Sequence, residues 1–542
     1  MRRFMYSIQG LCACAALGIT AGLATSDASA APLPIVAKHS GKCLDITGGP
    51  GATQDGADAE QWECTGATNQ NWTLQSDGHG RFQLIAQHSG LCLSADNGDE
   101  NAQLYQTACN VTDTKQLWVK QIAGAATEFK FLQVSGGRCL AVAGGTGATG
   151  NGPAIQLQAC PTPTANQIWT IGRNPLYWPF ISSSIWNTPI GSGAQYVPAN
   201  LPAIPDDPND TFKDGTPIDA DWSPMPLIDE ERIVLVPTAP PITILYSPGG
   251  WSGDRCATTS PPSPNFTGLP VTGVPIPSGY MLNDPTHPKN NGAAFLMPNG
   301  HTLVQTEPWA RCSANGSATS IIRILDDGTD ANNNTGVDAD IISGNGRKGA
   351  HGGSMLGTLG GTIRLGEMRP GGSGPHHALK INLFAKMEYA DCSATVPCFR
   401  WPAYTADSGA TTNYGSIHNN PNVKMGSLLA LPPSVNINNI GLLSEPGRQL
   451  AWTLQNYGAY VVDSMGAGFG LSAEAGYHGS KPDEFFADYT MDMHARVGHG
   501  ENSNWSHDLQ IIRPLLQVVN NNGPTSVGGG GTPRQPLAPP FQ

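Results

Sequence analysis

Charge is scarce in this 542-residue chain: Asp, Glu, Lys and Arg make up 13% of it and sum to −13. An acidic balance supplies no basic stripe to displace counterions, so nucleic acid is not an expected partner. Long apolar runs are missing beyond the N-terminus. No later stretch approaches the roughly eighteen residues of a spanning helix, and no membrane span is expected. Signature motifs are absent too: there is no Gly-x-Ser-x-Gly nucleophile elbow, no His-Glu-x-x-His and no phosphate-binding loop. The first absence counts against an esterase or serine protease. The others leave metalloprotease and nucleotide chemistry without a basis, and no cofactor or metal set is expected.

What is present begins with a leader. Arg2 and Arg3 precede a short apolar run, Leu11 to Leu23, and Ala28-Ser29-Ala30 offers the small residues a signal peptidase reads, so residues 1–30 are expected to be removed on export. The expected location is extracellular. Of twelve cysteines, Cys12 and Cys14 fall in the leader, which leaves an even ten for an oxidising compartment. None has the two-residue spacing of zinc sites, so disulfides are expected. With 66 Gly and 45 Pro, the chain reads as loop-rich and mainly β.

Internal repetition is the strongest signal. Cys43-Leu44-Asp45, Gln61-Trp62-Glu63-Cys64 and Asn69-Gln70-Asn71-Trp72 are echoed by Cys92-Leu93, Cys109 and Gln116-Leu117-Trp118. A third copy follows in Cys139-Leu140, Cys160 and Asn166-Gln167-Ile168-Trp169, the Trp positions falling 46 and 51 residues apart. One such unit cannot bury its own apolar face, so three must share a core. This Gln-x-Trp pattern resembles the ricin B-type lectins and implies a β-trefoil over residues 31–172, with Cys43–Cys64, Cys92–Cys109 and Cys139–Cys160 as clips worth about 2–3 kcal/mol each. It also implies carbohydrate as the partner. The family's site needs an acid, a ring for the sugar's C–H face and an amide. In the first repeat those positions read Asp45, Trp62 and Asn69, with Gln70 behind and Glu60 where Gln is usual. The second repeat has Ser94 and Lys115, with Tyr105 as a stacking candidate; the third has Ala141 and Gln158 and keeps Asn166. Both look degenerate. Trp72, Trp118 and Trp169 read as core.

From Pro175 to about Asn520 short apolar runs alternate with Gly, Pro and Asn, which predicts a larger β-sandwich or jelly-roll-like unit with few helices, and a catalytic role is expected for it. Asn299-Gly300 marks a hairpin between Ala293–Leu296 and Thr302–Thr306. Further runs lie at Ile321 to Leu325, Thr362 to Glu367, Ala378 to Phe384 and Ala459 to Asp463. One helix is signalled, capped by Ser444 and ended by Gly458. Proximity suggests Cys256–Cys312 and Cys392–Cys398. Residues 521–542, rich in Asn, Gly and Pro, read as a disordered tail. The segment from Gly360 through Trp401-Pro402-Ala403 to Asp463 resembles a group of uncharacterised secreted bacterial proteins, which transfers no catalytic residue.

Thr362 to Glu367 and His377 to Ile381 flank a Gly-rich stretch. If they form a hairpin, 365 pairs with 379 and Glu367 with His377, placing a carboxylate and an imidazole at the end of an apolar face, where proton transfer is favoured. The alternative is a buried structural ion pair or another register. Arg400, Trp401, Asp407 and Asp463 would complete a cleft, and Glu307 beside Trp309 is a further acid. Glu367, His377, Asp407 and Asp463 are thus the candidate catalytic groups. His351-Gly352-Gly353-Ser354 looks like an esterase oxyanion loop, and His478, His494, His499 and His507 lack metal-ligand spacing. The function implied is a polysaccharide-acting hydrolase or lyase held to its glycan by a lectin. The alternatives are a non-enzymatic lectin or adhesin, and, further off, an esterase. Oligomeric state is not legible.

Overall fold

The computed structural model describes residues 32–65, 67–124, 128–201, 226–249, 253–257, 269–282, 290–325, 339–465, 469–494, 503–538 and 541. The expected leader, with Cys12 and Cys14, lies outside them. The protein is mainly β, and among the described residues no helix is long and apolar enough to cross a membrane.

Residues 33–171 form twelve strands joined in one sheet system with threefold internal likeness. Each repeat folds one short hairpin: Cys43–Ile46 on Ala59–Trp62, Cys92–Ala95 on Leu104–Thr107, and Cys139–Val142 on Ile155–Gln158. No hairpin buries itself. Their apolar faces meet around Trp72, Trp118 and Trp169, which are at most 1% exposed. Each indole N–H donates to a leucine carbonyl, of Leu44 at 2.9 Å, Leu93 at 3.4 Å and Leu140 at 3.0 Å. A ring of this size buries about 150–250 Å², roughly 4–6 kcal/mol of apolar transfer before entropy is counted. All five expected disulfides are formed.

The larger part is built on a sheet running, in spatial order, Tyr196–Pro198, Gln517–Val519, Leu428–Ala430, Ala459–Ser464, Leu379–Leu383, Phe469–Gly476, Pro226–Val234, Ala293–Leu296, Leu303–Glu307 and Ile322–Leu325. A jelly roll would be antiparallel. Here Leu379–Leu383 runs parallel to Ala459–Ser464, and Pro226–Val234 parallel to both its neighbours, so the β-rich reading holds but the sheet is mixed. Parallel neighbours need a crossover. The helix Glu445–Asn456 lies in one, capped as expected by the Ser444 hydroxyl, which accepts from Gly447 N, and it buries Leu450, Ala451 and Leu454. The sheet is covered on both faces. Val461 points into the core around Leu450 and Trp505, whereas Tyr460 and Val462 point into the one around Trp186, which explains the uninterrupted apolar run.

The Asn299-Gly300 hairpin pairs Ala293 with Thr306 as expected. Thr362 to Glu367 does not form the expected strand: only Ile363 bridges, to Ala473, and the chain then turns. Two longer helices that the sequence reading leaves unassigned, Lys481–Tyr489 and Asn504–Ile512, capped by the Ser480 and Ser503 hydroxyls, join the predicted one, with two single-turn helices at Ala385–Glu388 and Ala410–Asn413.

The expected disordered tail is instead part of the fold through residue 538. Asn521 Nδ2 donates to the carbonyls of Gly193 and Gly529, Arg534 N to Ile190 O, and Gly191 bridges Pro533. Its glycines serve a close approach: Gly529 has φ 85° and a Cβ there would stand 2.5 Å from Ala194 Cα.

Candidate functional site

In the first repeat, hairpin register puts Asp45 opposite Glu60, and Trp62 follows two residues along the same face. Asn69 Nδ2 donates to Asp45 Oδ2 at 2.9 Å and to Ile46 O at 3.1 Å, fixing a carboxylate that is only 4% exposed. Burial, with Glu60 nearby, pushes the Asp45 pKa up to about 7. Four of the five predicted sugar residues therefore meet on one face. Gln70 differs. Its Nε2 donates to Glu63 O and its Oε1 accepts from Thr65 N. Gln116 does the same with Ala108 and Asn110, and Gln167 with Ala159 and Thr164. An interaction kept in degenerate repeats holds the loop after the second cysteine. Register also moves Tyr105: it stands opposite Ser94 at the position of Glu60, and Thr107 takes the place of Trp62.

The same hairpin meets the larger part of the chain. Glu63 Oε1 accepts from Ser373 Oγ at 2.5 Å and from Ser373 N, Lys42 Nζ donates to Gly366 O, and Tyr177 OH donates to Lys38 O. Trp62 Cη2 would lie 3.6 Å from a Cβ on Gly371. The candidate sugar face thus opens beside the loop 369–375.

Glu367 and His377 meet here, at 3.1 Å, though not through the predicted hairpin, since Ile381 pairs with Leu471 and Val461. They line a cavity of about 80 Å³ between the two parts, with Lys42, Glu63 and Arg364. Glu367 also accepts from Arg364 N, and His377 Nδ1 faces Ala378 O at 2.9 Å. Burial alone would raise the Glu367 pKa, but His377 and Arg364 hold it below the usual value. Burial would lower that of His377, but Glu367 raises it. Both groups are fully engaged, as in a buried ion pair.

Asp407 and Asp463 lie elsewhere, in a buried carboxylate cluster on the sheet face shared with Trp186. Side chains alternate, so Asp229 and Glu231 leave Pro226–Val234 on one side while Lys380 and Asn382 leave Leu379–Leu383 on the same side. Lys380 Nζ donates to Glu231 Oε1 at 2.5 Å, and Asn382 Nδ2 to Asp229 Oδ2 at 2.9 Å. Glu307 ends its hairpin strand beneath His351. The turn His351-Gly352-Gly353-Ser354 closes the cluster, but not as an oxyanion loop: Gly352 N donates to Glu307 Oε2 at 2.6 Å and Gly353 N to Asp463 Oδ1 at 2.9 Å. Both amides are already bound to carboxylates. The glycines are required for space, because a Cβ on Gly352 would stand 2.3 Å from Asp463 Cγ and one on Gly353 2.5 Å from Asp407 Oδ1.

Protonation differs across the cluster. Burial and Asp407 push the Asp463 pKa up to about 7, although Gly353 N opposes the shift. Asp407 is raised by burial and accepts from Tyr414 OH at 2.6 Å. Glu307 is pushed well above the carboxylate range by burial. His351 is raised to about 9: burial and Lys380 oppose its charge, but Glu231 and Asp229 outweigh them. Asp229, Glu231 and His351 bring ligand atoms within 4.8 Å of one another. Sequence reasoning singled out Asp407, Asp463 and, for other reasons, Glu307 and His351; it missed Asp229, Glu231 and Lys380. Arg400 reaches Asn520 O instead of the cleft. His478, His494 and His507 form no metal group, and His499 lies outside the described residues.

Residues 31–174 match the family model of the ricin-type β-trefoil lectin domain. No curated protein matches the chain. Solved structures that do include the ricin B-like lectin of Macrolepiota procera in complex with lactose, at 20% identity over 28% of this chain and 100% of that one, TM-score 0.23. An exo-β-1,3-galactanase of Clostridium thermocellum matches at 24% identity over 28% of this chain and 31% of that one, TM-score 0.25. The designed threefold protein ThreeFoil matches at 28% identity over 26% and 97%, TM-score 0.24.

Proposed function

Since residues 31–174 are a carbohydrate-binding lectin module of the ricin type, we infer that the protein is a secreted, polysaccharide-acting hydrolase. In this reading its first repeat holds the glycan and its carboxylate cluster cuts it. Asp45, Glu60, Trp62 and Asn69 take the sugar: the carboxylates accept its hydroxyls and the indole stacks on its C–H face. The observation that carries the hydrolytic reading is the pairing of Asp463, with a pKa of about 7, and Asp407 at one edge of a buried cluster. A group titrating there can give a proton to a leaving oxygen at neutral pH, while its carboxyl partner orients water. Glu367 and His377, both in the larger part and engaged with each other, line the junction beside the contact of Glu63 with Ser373.

The test is a panel of soluble and insoluble polysaccharides incubated with the full chain and assayed for new reducing ends. Cleavage that Asp407→Asn and Asp463→Asn abolish, with glycan binding intact, supports the reading. No cleavage across the panel leaves a lectin without enzymatic action.

Binding should depend on pH through Asp45. The ionised carboxylate accepts a sugar hydroxyl much more strongly than the neutral acid, and with a pKa of about 7 the ionised fraction falls about tenfold per pH unit below 7. Sugar affinity is expected to weaken roughly 100-fold from pH 8 to pH 5 by isothermal titration calorimetry. Asp45→Asn should bind weakly at every pH. A flat wild-type profile would move the site to another repeat.

A further inference from the structure

The inner half of the cluster has no part in the acid–base reading, and its geometry is that of a ligand set. His351, fully buried, lies with Nδ1 2.6 Å from Glu231 Oε1, and that oxygen also receives Lys380 Nζ at 2.5 Å. Its other nitrogen, Nε2, stands 3.7 Å from Asp229 Oδ2, too far for a hydrogen bond, and neither ring nitrogen makes a well-aligned hydrogen bond, Nδ1 being close to Glu231 but not aligned on it. Two ligands at about 2.1 Å from one ion stand roughly 3–4 Å apart. A carboxylate on the far nitrogen of a histidine is the usual support of a metal-bound imidazole, because it fixes the ring and the tautomer.

Two further buried oxygens are orphaned close by. Asn382, 5% exposed, donates through Nδ2 to Asp229 and leaves Oδ1 unpaired. Glu307, 1% exposed, accepts from Gly352 N and leaves Oε1 unpaired. Buried acceptors without donors are what a cation satisfies.

We propose that Asp229 and His351, with His351 oriented by Glu231, hold a divalent transition-metal ion of the zinc class between the strands Pro226–Val234 and Lys348–His351. An imidazole beside carboxylate and amide oxygens selects such an ion over calcium or magnesium, whose sites are built from oxygen. The inference does not rest on glycan hydrolysis.

The experiment uses the full chain freed of metal by chelator dialysis, titrated with zinc and, separately, with calcium. One zinc per chain is expected, with calcium at least 100-fold weaker. His351→Ala and Asp229→Asn should each weaken zinc at least 100-fold, and Glu231→Gln, which removes the carboxylate beside His351 together with the charge facing Lys380, by about 10–100-fold. Cobalt substituted into the wild-type chain should give visible bands of a site with a nitrogen ligand, a reading independent of how well the variants fold. Absence of stoichiometric zinc uptake, preference for calcium, a cobalt spectrum of the hydrated ion, or undiminished zinc affinity in a folded His351→Ala variant would each overturn the proposal.

Discussion

Asp463→Asn is expected to lower kcat on a cleaved polysaccharide by about 10²–10⁴-fold, the usual worth of one general acid–base group. The amide occupies nearly the same volume and can still accept from Gly353 N and Ser464 N through its oxygen, as Asp463 Oδ1 does now. What it cannot do is release a proton. KM should therefore change little, because glycan hold is assigned to the first repeat, and the measurement that checks it is a pair of saturation curves for the two proteins. A loss shared between kcat and KM would instead indicate that Asp463 supports the cluster's shape. The Asn290 side chain, which donates to Asp463 Oδ2 at 2.7 Å, would then face an amide nitrogen and have to turn away.

Lys380→Met should have the largest effect on stability. The ammonium is fully buried, donates to Glu231 Oε1 and to the carbonyls of Gly357 and Thr358, and is what holds the Glu231 carboxyl below its usual range against the effect of burial. Methionine fills the space but leaves Glu231 charged and dry. Breaking one partner of such a pair costs about 3–5 kcal/mol, whereas replacing both partners by apolar groups of the same volume can be nearly neutral. Chemical denaturation should place the single variant well below wild type. The double variant Lys380→Met with Glu231→Leu should recover much of the difference. If the single variant unfolds at the wild-type denaturant concentration, the pair is not carrying the sheet's polar face.

These two sites show why the trefoil was legible and the cluster only partly so. Every trefoil feature is local: Cys43 and Cys64 are 21 residues apart, Asp45 and Glu60 face each other across one hairpin, and the pattern is written three times. Repetition even assigns Gln70, because Gln116 and Gln167 make the same bonds where no sugar residues accompany them. The cluster is assembled from positions 229, 231, 307, 351, 380, 407 and 463. Parallel pairing and crossover connections bring these together, and neither leaves a short-range trace. Glu367 and His377 are an instructive middle case: their nearness was anticipated from a hairpin that does not form. The turn after Ile363 brings them together instead. The Asn- and Gly-rich tail looks disordered by composition, yet the Asn521 side chain satisfies the backbone of Gly193 and Gln195, a role composition does not reveal.

Trp62 ends its strand and Glu63 follows it directly: the first lies on the candidate sugar face, the second bonds Ser373 of the larger part. A glycan stacked on the indole would therefore sit one residue from a fastening between the two parts. The lectin is not a grapple on a slack rope, free to sample many angles around the cluster. Under the proposed function its reach would be set by the fastening, and a polysaccharide would be sorted twice: by the sugar that the first repeat accepts, and by whether the remainder of the strand can clear the loop 369–375. Glycans that satisfy the first condition and fail the second would be held without being cut, and would act as competitive ligands.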